Sequence, residues 1–175
     1  KTNIKTSIQE YLQTNLEKFD QKFRYSKLVQ DIDNTSNSIR NSKSTIKYRQ
    51  LITPAVMNNA VTYILNFNNM LEKGSLVSTS FVATDGNTYC MIDDSLGIVK
   101  LARTTNNIVD SPASYMIQPD GSTTQGTVDY NTGQIILKSL RPLSISDGTT
   151  SIKITVSPEQ NNSDITPLRE QLLTY

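Results

Sequence analysis

Apolar residues recur at a helical interval in the first part of this chain and alternate with polar ones in the rest. Ile4, Ile8, Tyr11, Leu12, Leu16 and Phe19 lie three or four apart, which predicts an amphipathic helix ending near Phe19. Thr6-x-x-Gln9 and Ser7-x-x-Glu10 each fit a capping box, in which a hydroxyl satisfies an orphan amide at the helix start. A shorter helix is predicted from Tyr25 to Ile32, with Leu28, Val29 and Ile32 inward. After the polar turn cluster 33–38, the stretch from Ser44 to Leu51 puts Ile46 and Tyr48 on one face, and Pro54 stops it. From Val61 to Phe67 the alternation places Val61, Tyr63, Leu65 and Phe67 inward; this strand is expected to pair antiparallel with the one before it. Asn68-Asn69 and Gly74 mark an exit to a second region.

From Leu76 onward, short strands are punctuated by turns, as in a sandwich or small barrel. Strands are predicted at 77–82, 88–92, 98–102, around Tyr115 to Ile117, and at 151–156, with turns at Thr84-Asp-Gly-Asn87, 93–97 and Pro119-Asp-Gly121. The clearest hairpin runs from Gly126 to Leu137. Val128 and Tyr130 alternate before the turn, Ile135 and Ile136 lead the return strand, and Gly133 is placed where a short loop needs positive φ. The tail is polar from Pro158 until Ile165, after which Leu168, Leu172 and Leu173 have helical spacing. Such a stripe docks either on the chain's own core or on a partner. The expected architecture is α+β. Residues 1–74 form amino-terminal helices and a strand pair, 75–157 a mostly antiparallel β-domain, and 158–175 a short carboxy-terminal docking tail.

Composition narrows the function. There are 175 residues, no histidine and one cysteine. That removes Ser-His-Asp and Cys-His catalysis, His-ligated metal sites and any structural zinc site of cysteines. Cys90 falls in an apolar run and reads as a buried, inert thiol, a weak sign of a reducing compartment. Asp93-Asp94 lacks the alternating ligands and distal Glu of a calcium loop, so a solvated turn is expected there. The glycines are isolated in turns and form no phosphate loop. No catalytic residue, metal or cofactor is nominated, and the chain is not expected to be an enzyme.

The net charge is +1, but it is uneven. Residues 1–50 carry ten Lys or Arg against five acids, a net of +5, and the remainder seven against eleven, a net of −4. Opposed charge on successive segments favours packing onto each other or onto protein partners over general nucleic-acid binding. The stretch 18–27 interleaves cations with aromatics as a single-strand platform does. Phe19 and Phe23 are four apart, however, and are expected to share one helical face in the core. No apolar run approaches a membrane span of roughly 18 residues. The chain starts at Lys1 rather than Met, so it is expected to be a piece of a longer protein.

Several runs together carry a resemblance: Ser7-Ile-Gln-Glu-Tyr-Leu12, Phe19-Asp-Gln-Lys-Phe-Arg-Tyr-Ser-Lys-Leu28, Ile32-Asp33, Ser38-Ile39, Tyr63 to Asn68, Thr79-Ser-Phe81, Asp93-Asp94 with Gly97, Gly126 to Leu137, and Asp164-Ile-Thr-Pro-Leu-Arg169. With these the chain resembles the baseplate wedge subunits of T-even-type contractile-tailed bacteriophages, relatives of baseplate J-like proteins. The resemblance implies the carboxy-terminal part of a structural wedge protein, made late and assembled in the host cytoplasm into the virion tail. Its implied partners are other wedge subunits and a second copy of itself, joined into a ring around the hub. Ser95-Leu96 departs from the pattern, which has a second glycine in that turn. The interface candidates are Ile8, Tyr11 and Leu12 on the first helix and Ile165, Leu168 and Leu172 in the tail. A rival from another class is a secreted or surface carbohydrate-binding β-sandwich, consistent with abundant Asn, Tyr and Ser; saturable binding on a glycan array separates the two.

Overall fold

A computed structural model of the chain describes residues 2–15, 23–35, 46–159, 164–165 and 172–174. In chain order its elements are α1 (Thr2–Asn15), β1 (Phe23–Arg24), α2 (Tyr25–Asp33), β2 (Lys47–Ile52), β3 (Val61–Asn66), β4 (Val77–Ser78), β5 (Phe81–Val82), β6 (Thr88–Asp93), β7 (Ile98–Thr105), β8 (Ile108–Val109), β9 (Gly126–Asp129), β10 (Gln134–Leu140), β11 (Ser144–Ile145), β12 (Ile152–Val156), β13 (Asp164–Ile165) and β14 (Leu172–Thr174). Among the described residues, twelve strands form one sheet along the path β14-β2-β12-β4-β6-β7-β9-β10-β3, with β5 joined to β6 and β11, and β8 joined to β7. The ladders are antiparallel, both between strands joined by a short turn, such as β6 and β7, and between strands distant in the chain, such as β2 and β12. The chain is thus mixed α and β and dominated by antiparallel sheet.

Alternation decides which face of each strand is inside. Tyr48 and Ile52 of β2, Leu65 of β3, Ile135 and Leu137 of β10, and Ile152, Ile154 and Val156 of β12 are buried, while Thr62, Ile64 and Lys138 are exposed. Phe67, just past β3, is fully buried and its ring lies 6.1 Å from that of Tyr48. The buried residues form one cluster, which also takes in Ile8 and Tyr11 of α1 and Leu28 and Ile32 of α2.

The expected pairing of β3 with β2 is not what forms. β3 pairs with β10, and β2 lies between β12 and β14. The connection between β2 and β3 explains the choice. Asn58 donates its amide to Pro142 O at 2.8 Å and accepts Arg141 Nε at 2.9 Å, so the chain enters β3 already tied to the far end of β10. β2 and β3 still meet through a side chain, because Gln50 Nε2 donates to Asn66 O at 2.9 Å. The sheet is therefore curled until regions near opposite ends of its path touch.

The predicted strand 77–82 is two strands. The break at Thr79-Ser80 lets one stretch serve two neighbours: Thr79 N donates to Lys153 O on the β12 side, and Ser80 O accepts Ser146 N on the β11 side. The central hairpin forms as expected, with Gln134 opposite Asp129 and Gly133 at φ 72. The tail differs from its helical stripe, since residues 172–174 are a strand whose Leu172, Leu173 and Thr174 stand opposite Arg49, Tyr48 and Lys47. A sheet edge offers a row of unpaired amides and carbonyls, and a strand satisfies them where a helix cannot. Phe23 likewise lies in β1 opposite Ile165, not on a helical face shared with Phe19, which is outside the described residues.

Three loops repeat one turn, Asp-Gly followed by a polar residue. In each, the Asp accepts the backbone amide two residues on and a side-chain donor of the same residue: Asn87, Ser122 and Thr149 for Asp85, Asp120 and Asp147. The Ser122 amide and hydroxyl hold the Asp120 carboxyl below the usual range, and the Thr149 hydroxyl and amide do the same for Asp147. At Asp85 slight burial pushes upward, but the Asn87 bonds outweigh it. These groups bind protons less readily folded than unfolded. Their stabilisation is present above the unfolded pKa, about 4, and is lost as pH falls through the depressed folded values. The urea midpoint is expected to stay level from about pH 7 to 5 and to fall steadily below about pH 4. A midpoint that rises on acidification would contradict these turns.

Candidate assembly surface

The two helices make a polar groove on a buried base. α1 starts at Thr2, four residues before the predicted cap, so Thr6 and Ser7 sit inside it rather than at its start. Ser7 has a different task. Thr35 Oγ1 donates to Asp31 O at 2.9 Å, closing the end of α2. Its single hydrogen is committed there, so Ser7 Oγ is the donor in the 3.1 Å bond between the two hydroxyls. That bond ties the middle of α1 to the end of α2. Beside it opens a groove of about 380 Å³, lined by Ser7, Glu10, Tyr11, Thr14, Lys27, Asp31, Asn34 and Thr35. Hydroxyls, an amide, two acids and one base suit hydrogen bonds and ion pairs with another protein surface. They supply no activated nucleophile.

The expected interface residues divide between core and edge. Ile8 and Tyr11 are buried within the chain and Leu12 is partly buried, so in this structure they hold α1 against the core. Ile165 lies in β13 and Leu172 in β14; Leu168 is outside the described residues. Cys90 is buried and burial pushes its thiol up, in keeping with an inert side chain. Among the described residues no group of three or more Cys, Asp or Glu could hold a metal ion, and no helix is long and apolar enough to cross a membrane.

Asp93 corrects the expectation of a solvated turn. It is 8% exposed, and its carboxylate accepts Gly74 N at 2.8 Å, Leu76 N at 2.9 Å and Tyr130 Oη at 2.5 Å. Tyr130 Oη in turn accepts Gly97 N at 3.2 Å. One carboxylate thus ties the segment entering β4, the β6–β7 turn and the central hairpin together. Asp94 beside it is the turn residue proper. It accepts Leu96 N and Ile98 N at 2.9 and 3.0 Å and faces Lys100 Nζ at 3.5 Å. Ser95, where the resemblance leads one to expect glycine, has φ 64, so it adopts the conformation that glycine favours. The turn presents Leu96 at 85% exposure. Sequence reasoning passed over Leu96 because nothing in the local pattern says that a turn leucine stays uncovered.

Residues 1–50 match the family model of baseplate structural protein gp6, C-terminal domain III. The match spans the helix pair, its groove and the start of β2, and it supports a structural role in a phage baseplate, hence in the virion tail and in contact with other baseplate proteins. No curated protein matches the chain.

Proposed function

We propose that this chain is a non-enzymatic wedge component of a phage tail baseplate, made late and assembled in the host cytoplasm, whose contacts with sibling subunits help join wedges into a ring around the hub. The observation that carries the reading is the family match over residues 1–50, which falls on the helix pair and its polar groove. Charge supports it. The matched stretch is net positive and the rest of the chain net negative, so successive copies and sibling proteins can be oriented by complementary fields. A mostly antiparallel body with a tethered helix pair also suits a part that must transmit force yet allow neighbours to shift.

The test is to mix the chain with the other tail proteins of its phage and measure particle mass by light scattering. A complex heavier than the chain is expected with at least one of them. Reversing both groove acids, Glu10→Lys with Asp31→Lys, is expected to weaken that complex about tenfold while leaving the urea midpoint unchanged, as loss of rim charges does. No added mass with any tail protein would end the assembly reading. Unaltered affinity in the reversed variant would remove the groove from it.

A further inference from the structure

We infer that the solvent face of β7, β9, β10 and β3 docks a second copy of this chain, which presents the same face after half a turn. This rests on the assembly reading above and names the occupant of one surface, which lies outside the matched residues 1–50. An antiparallel sheet with one face on the core carries polar residues on the other. Here the ladders set Ile98 opposite Thr127, Thr127 opposite Ile136 and Ile136 opposite Ile64. Ile64 is 58% exposed, Thr127 is exposed, and Ile98 and Ile136 are half-buried. A lone isoleucine on a solvated strand reflects strand preference, whereas three on one line across four strands make an apolar ridge.

Charge specifies the occupant. Lys138 stands two residues beyond Ile136 on β10, and Asp129 two residues beyond Thr127 on β9. β9 and β10 are antiparallel, so the base and the acid lie on opposite sides of the ridge, each about 7 Å from it. Both are exposed, and among the described residues neither has an ion-pair partner. Asp129 Oδ1 accepts the Asn131 and Thr132 amides at 3.0 and 3.3 Å, which leaves Oδ2 for a cation. A half-turn about the ridge lays it on itself and sets Lys138 of each copy beside Asp129 of the other, offset by one strand spacing of about 4.8 Å and within reach of a lysine side chain. The pair forms twice, as a twofold contact requires. The β3 edge is not open in the same way, because Gln50 Nε2 already donates to Asn66 O there.

Light scattering of the full chain reads the contact. Its mass is expected to climb from 19.5 kDa toward twice that value between about 0.01 and 1 mM, the range of a small, transient interface. Lys138→Glu and Asp129→Lys, each alone, set like charges together at both pairs and are expected to weaken self-association by about tenfold. Mixed in equal amounts, the two variants are expected to restore it, because the mixed dimer regains two opposite pairs. Asp129→Lys also releases two turn amides. Should it lower the urea midpoint, Thr127→Arg decides, since it puts a charge on the ridge without touching that turn and is expected to stay single at the highest concentration. The inference is overturned if the unaltered chain stays at 19.5 kDa throughout, if two folded charge variants associate no better mixed than apart, or if Thr127→Arg associates normally. It is equally overturned if the unaltered chain stays single while these variants lose a heavier complex with another tail protein, for the face then takes a different partner. A chain that pairs through this face yet ignores the other tail proteins keeps the inference and loses the assembly reading; a chain that stays single yet joins them does the opposite.

Discussion

Asp93→Ala is expected to lower the unfolding free energy by about 3–5 kcal/mol, the scale for stripping a buried charge from its partners. Three donors lose their acceptor at once: the amides of Gly74 and Leu76, and the Tyr130 hydroxyl. Burial and the adjacent carboxylate hold that hydroxyl well above the usual phenol range, so it stays protonated and remains a donor at any working pH. Tyr130→Phe removes one donor and leaves Gly97 N without its acceptor, so a smaller cost of about 1–2 kcal/mol is expected. Asp93→Asn should fall between them, because its amide keeps one acceptor oxygen and turns the other position into a donor facing donors. Urea unfolding of the three variants gives the order directly. A cost under about 1 kcal/mol for Asp93→Ala, the range of an ordinary surface change, would show that Asp93 is not the tie described.

Gly133→Ala is expected to cost roughly 3–4 kcal/mol, more than the left-handed backbone alone demands of an alanine. Gly133 has φ 72, and a Cβ built there lies 2.3 Å from Asn69 O and 3.1 Å from Asn69 N. Those are backbone atoms and cannot rotate away. Asn69 is held in place by its neighbours, for Phe67 N donates to Gly133 O at 2.9 Å and Leu71 N to Tyr130 O at 2.8 Å. Gly86 is the control. It has φ 80 and nothing within 4 Å of a built Cβ, so Gly86→Ala should cost only the backbone term, about 1–2 kcal/mol. Equal losses in the two variants would mean that the hairpin turn and the 67–71 segment are not in the close contact described.

These two residues were legible to different degrees. Gly133 could be read in advance because turn chemistry is local: a short loop between alternating strands needs positive φ at its last position, and glycine takes it freely. Asp93 could not. A carboxylate next to Asp94 and Gly97 reads as one more solvated turn, and its partners at Gly74, Leu76 and Tyr130 lie up to 37 residues away. Leu172 shows the same divide from the other side, since its spacing with Leu168 reads as helical while the β2 edge draws it into a strand.

The amino-acid order alone settled what is governed by neighbours within a few residues: α2, the inward faces of β2 and β3, the Asp-Gly turns at Asp85 and Asp120, the central hairpin and the absence of histidine chemistry. Tertiary structure alone decided which strand lies beside which, that β3 goes to β10 and β2 to β12 and β14, and that the carboxylate of Asp93 is inside. The physical reason is that side-chain period and turn geometry are local energies, repeated at every position. Strand partners and buried polar ties are chosen by the closing of the whole sheet, where bonds such as Asn58 to Pro142 favour one arrangement over others with the same local pattern.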